Sequence, residues 1–140
     1  YLLALVIAIA ASGTPAFAQQ SGGLRIDFQG PGGHSSGAYG RVSALHAAAR
    51  AVILIQKALP AGSYQITNLT GGNSVNSIAS DGLIELKLTA SSAAAYKELV
   101  ALVTKAAAEG AAAENAFRGV KAGALTAGAP ATIRSIVKQM

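Results

Sequence analysis

The apolar residues change period once within the first part of the chain, and that change limits the fold more than any other feature. Leu24, Ile26 and Phe28 alternate with Arg25, Asp27 and Gln29, the period of a strand with one buried face. Val42, Leu45, Ala49, Val52, Ile53 and Leu59 then recur at helical spacing, with Ser43 as N-cap and Pro60-Ala61-Gly62 as the stop. Tyr64–Thr70, Val75–Ala79 and Leu83–Leu88 read as strands separated by Gly71-Gly72-Asn73-Ser74 and Ser80-Asp81-Gly82. Ser91 or Ser92 caps a second helix, marked by Tyr96, Leu99, Val100, Val103 and Ala107 and expected to end at Gly110. A last strand is expected over Phe117–Leu125, and a short amphipathic helix in the tail Ala131–Met140, where Ile133, Ile136 and Val137 recur. The order strand, helix, strand, strand, helix, strand predicts an α+β fold of the ferredoxin-like split βαβ type. Two helices would cover one face of an antiparallel four-stranded sheet.

Composition narrows the function classes. A chain of 140 residues holds one domain plus tails, and 51% hydrophobic against 12% charged residues excludes disorder from low hydrophobicity. Cysteine is absent, so there are no disulfides and no thiolate zinc site. The net charge of +5 comes from eleven basic residues scattered without a run or a helical stripe, and the aromatic residues do not interleave with them. Nucleic-acid binding is therefore not expected.

Residues 1–18 are signal-peptide-like. Tyr1–Ala11 is an apolar run too short to cross a bilayer as a helix, and Ala16-Phe17-Ala18 has the small-x-small form of a cleavage site. Export to a periplasmic or extracellular location is expected, with only transient membrane contact. Residues 19–22 then read as a linker, 23–126 as the folded domain and 127–140 as the tail.

The corner between the first strand and first helix, Phe28-Gln29-Gly30-Pro31-Gly32-Gly33-His34-Ser35-Ser36-Gly37, holds four glycines and a proline. These permit positive φ angles and close backbone approach, more than a plain connection needs. His34 at such a corner could donate a hydrogen bond to developing negative charge, or it is a surface histidine on a turn. His46, inside the first helix, reads as a packed or half-exposed histidine rather than a ligand. Ser35 replaces the third glycine of a dinucleotide fingerprint, and no acid follows Asp27 before Asp81. No Gly-Lys-Ser/Thr P-loop, no metal-ligand spacing and no Gly-x-Ser-x-Gly elbow is present.

Phe28 to Ser36, Arg41-Val42-Ser43-Ala44-Leu45-His46-Ala47 and Gly71-Gly72-Asn73-Ser74-Val75-Asn76-Ser77-Ile78, in that order, resemble the dimerisation (lid) domain of the dinuclear-zinc exopeptidases and amidohydrolases. That family includes aminoacylase, carboxypeptidase G and succinyl-diaminopimelate desuccinylase. The resemblance implies that His34 reaches across a dimer to polarise the scissile carbonyl of a small amide or peptide substrate. It implies that Asn76, presented by Gly71 and Gly72, contacts that substrate, with Ser35 beside it. It implies no metal or cofactor in this chain, because the family's zinc belongs to a catalytic domain that the chain lacks, so no activity is expected of the chain alone. Thr89 stands where many members carry an arginine, and cannot hold a carboxylate as a guanidinium would.

The partner so implied is a second copy of the chain or a full-length related hydrolase. Other readings are a free-standing exported module that binds a small ligand, a regulator that forms inactive heterodimers, and a non-functional gene fragment.

Overall fold

The computed structural model describes residues 18–140, so the signal-like segment lies almost wholly outside the described residues. The main sheet contains β1 (Gln20–Gln29), β3 (Tyr64–Gly71), β5 (Asp81–Ala90) and β8 (Arg134–Gln139). Its spatial order is β3–β5–β1–β8, with every neighbour antiparallel, as a ferredoxin-like split βαβ fold requires. Two helices, α2 (Ala44–Ala58) and α3 (Ala93–Phe117), cover one face. The remaining elements are short: β2 (Gly33–His34), α1 (Ser35–Ala38), β4 (Ser77–Ile78), and the hairpin β6 (Leu125–Thr126) with β7 (Ala129–Pro130).

Alternation places the core. Leu24, Ile26 and Phe28 of β1 and Ile84, Leu86 and Leu88 of β5 are buried against the helices. Arg25, Asp27 and Glu85 face the other way and pair with one another on the open face, where Lys138 also reaches Asp27 at 3.1 Å. The caps are as expected: the Ser43 hydroxyl accepts the His46 N–H, and the Ser92 hydroxyl accepts that of Ala95.

Four expectations are corrected. The segment expected as a linker, residues 19–22, is mostly strand, because Gln20 to Gly22 continue the ladder opposite Ala90 to Leu88. Helix α3 does not stop at Gly110. It runs on to Phe117 because Gly110 faces α2, where a Cβ would stand 2.8 Å from the Ala51 Cβ; the glycine permits close helix contact and does not cap. Phe117–Leu125 is not the fourth strand, since Gly119 and Gly123 adopt φ of +68° and +82° and turn the chain. The tail supplies that strand in place of a helix. Val137 lies opposite Ile26 on the covered face and Ile136 opposite Asp27 on the open one, so successive side chains alternate between the two faces as in a strand.

Candidate functional site

Two loops distant in sequence meet beside the amino end of α2. The ladder of β2 with β4 pairs Gly33 with Ile78 and His34 with Ser77, and the Ser35 N–H donates to the Asn76 carbonyl at 2.9 Å. Backbone geometry requires the glycines here. Gly32 and Gly72 have φ of +65° and +76°, and a Cβ on Gly71 would stand 3.1 Å from the Gly82 Cα.

The result is a side-chain pair. Asn76 Nδ2 lies 3.2 Å from His34 Nε2, across a separation of 42 residues, and both side chains are exposed. The Ser36 N–H donates to His34 Nδ1 at 3.2 Å, and the Ser36 hydroxyl lies 2.7 Å from the same atom. With Nδ1 accepting, a neutral ring carries its proton on Nε2. The Ser74 hydroxyl donates to Asn76 Oδ1 at 2.9 Å and so turns Nδ2 toward the imidazole. In that tautomer both His34 Nε2 and Asn76 Nδ2 carry protons at the exposed surface of the corner, and an incoming carbonyl or carboxylate oxygen would accept them.

Of the residues singled out in the sequence, His34, Ser35, Gly71, Gly72 and Asn76 gather at this corner. Thr89 does not. It pairs with Ser21 at the far end of β5, about 25 Å along the strand from Asp81, so one copy of the chain cannot offer both positions to one small molecule.

A cleft of about 690 Å³ adjoins the corner, lined in part by Ser35, Ser43, Ser74 and Ser77. His34 and Asn76 do not line it, whereas Arg41, His46 and Arg118 do. Below it Glu114 is fully buried. It accepts the Ser43 N–H at 3.1 Å, Arg50 Nε at 3.0 Å and Arg118 Nε at 3.2 Å. Burial opposes ionisation of this carboxyl, but the Ser43 N–H and the two guanidiniums outweigh it and hold the group below the usual glutamate range. The network ties the end of α3 to the cap of α2, the helix that follows the His34 corner. Sequence reading missed Glu114 and Arg118 because it ended the helix at Gly110, and their i,i+4 spacing was the available signal.

A model of the peptidase dimerisation domain matches residues 19–115. The chain belongs to that family. Solved structures share the fold of this dimerisation domain at low identity. An aminobenzoyl-glutamate utilization protein from Klebsiella pneumoniae superposes with a TM-score of 0.66 at 18% identity, over 91% of this chain and 32% of the other. A hydantoinase/carbamoylase family amidase from Burkholderia ambifaria gives 0.65 at 18%, over 89% and 28%. A tripeptidase from Staphylococcus aureus gives 0.62 at 18%, over 86% and 29%. The dimerisation domain thus spans about a third of those proteins' length. No curated protein sequence matches it.

Proposed function

We propose that the chain is the pairing and lid module of a zinc-dependent amide or peptide hydrolase, and that His34 and Asn76 present their donors to a substrate carbonyl in a partner's active site. The convergence of His34 Nε2 and Asn76 Nδ2 at 3.2 Å carries this reading. Donors fixed before the reaction, where an oxyanion develops, contribute about a hundredfold or more to rate. Among the described residues no three His, Asp or Glu side chains gather to hold a metal ion.

The surface proposed for pairing is the β3 edge with the adjacent side of α2. Leu69 lies opposite buried Ile84 and so shares the helix-covered face, yet it is 42% exposed. Ile53 of α2 is 51% exposed, and β3 has an unpaired edge. A second copy meeting this surface would cover both apolar groups and extend the sheet. Export, carried by the pattern of residues 1–18, belongs to the same proposal.

Nitrogen-15 NMR of the His34 ring tests the corner. The expected result is a proton on Nε2 that exchanges freely with water. A protected Nε2–H, donated to the Asn76 side-chain oxygen through the opposite amide orientation, would leave no donor for a substrate and overturn the proposal. Zinc-dependent cleavage of an acylated amino acid by the chain alone would also contradict it.

A further inference from the structure

The cleft beside the His34 corner has a lining chemistry of its own. Its charged lining residues, Arg41 and Arg118, are both cationic, and no Asp or Glu lines it. Glu114 beneath is shared between Arg50 and Arg118, so that trio keeps one positive charge in excess. Arg41 donates Nη1 to the Gly32 carbonyl at 3.0 Å and has no carboxylate within ion-pair distance among the described residues.

Arg118 is also held in place. Glu114 takes its Nε, the Phe117 ring lies 5.0 Å from its guanidinium carbon, and its Nη2 lies 3.4 Å from His46 Nδ1. A planar guanidinium fixed in this way loses little freedom on gripping a carboxylate. At about 690 Å³ the cleft is far larger than a bare inorganic anion, and Tyr39, Leu45, Val75, Ile78 and Ala79 supply apolar wall.

We propose that this cleft binds a small carboxylate carried on an apolar body, with Arg118 as the anchor and Arg41 adding positive field. The cleft shares Ser35, Gly71 and Gly72 with the lid corner, but neither His34 nor Asn76 lines it, so the inference does not rest on their donors.

The test is titration of the full chain with 3-phenylpropionate, followed by calorimetry and by amide chemical shifts. Saturable binding is expected, with shifts at Ser35, Ser74 and Arg118. The uncharged isostere 3-phenylpropanamide should bind at least tenfold more weakly. Arg118→Gln should weaken binding tenfold or more and Arg41→Gln about threefold, because the first removes a direct partner and the second only nearby charge. Should Arg118→Gln fail to fold, Arg41→Gln carries the test, since its residue bonds only a backbone carbonyl. His34→Ala should leave binding unchanged, which separates this site from the lid corner. Absence of saturation, equal affinity for the amide, or tighter binding of inorganic phosphate at the same residues would each overturn the proposal.

Discussion

The His34–Asn76 corner and the Glu114 node are both polar clusters that tie together segments far apart in sequence, yet they differ in charge, burial and use. At the node a carboxylate with no exposed surface has three donors directed at it. At the corner the groups are amide, hydroxyl and imidazole, all exposed, with His34 Nε2 and Asn76 Nδ2 facing each other at 3.2 Å. The Glu114 carboxylate spends its hydrogen-bonding capacity within the fold, whereas the corner keeps some for a ligand. Stability should therefore depend on Glu114, and the lid function on the corner.

The largest expected effect is at the node. Glu114→Ala should destabilise the chain by about 3 kcal/mol in chemical denaturation, because it strands the Ser43 N–H and two guanidiniums in a partly buried setting. A loss below about 0.5 kcal/mol would erase the contrast. Acid should reveal the same group. A carboxyl held low in the folded state contributes stability that is fully present above the ordinary glutamate range and is lost as pH falls through the folded value. Glu114→Gln should therefore flatten the acid limb of a stability-against-pH curve. It should not abolish it, since Arg25 and Lys138 hold Asp27 low against a smaller opposing effect of burial.

Ser43→Ala removes only the cap hydroxyl that accepts the His46 N–H and keeps the backbone bond to Glu114. It should cost about 1 kcal/mol, measured by thermal denaturation. The smallest effect belongs to the corner. His34→Ala should change stability by less than about 0.5 kcal/mol, since the ring is exposed and bonds chiefly its own turn. A loss of several kcal/mol there would make the histidine structural and break the contrast from the other side.

The corner was more legible in the sequence than the node, for a physical reason. Glycines that turn a chain and present a histidine or an asparagine leave a local pattern, and Gly71-Gly72 and Gly32-Gly33 are readable as such. The meeting of the two loops was not readable without the resemblance, because the two-residue ladder of β2 with β4 is too short to leave a period. The node needs the true length of α3. Gly110 has the composition of a stop signal and serves as a contact with Ala51, which only the packing reveals. The fourth strand was misplaced on similar grounds. Ile133, Ile136 and Val137 fit a helical spacing, and pairing with β1 decides the matter in favour of a strand.

The central claim is that the β3 edge and the neighbouring side of α2 form a pairing surface, and light scattering of the chain across a dilution series tests it most directly. The account predicts a mass twice that of the 13.9 kDa chain, persisting on dilution, and reduced to that of one chain by Ile53→Glu. A well-folded species of single-chain mass at every concentration would contradict it.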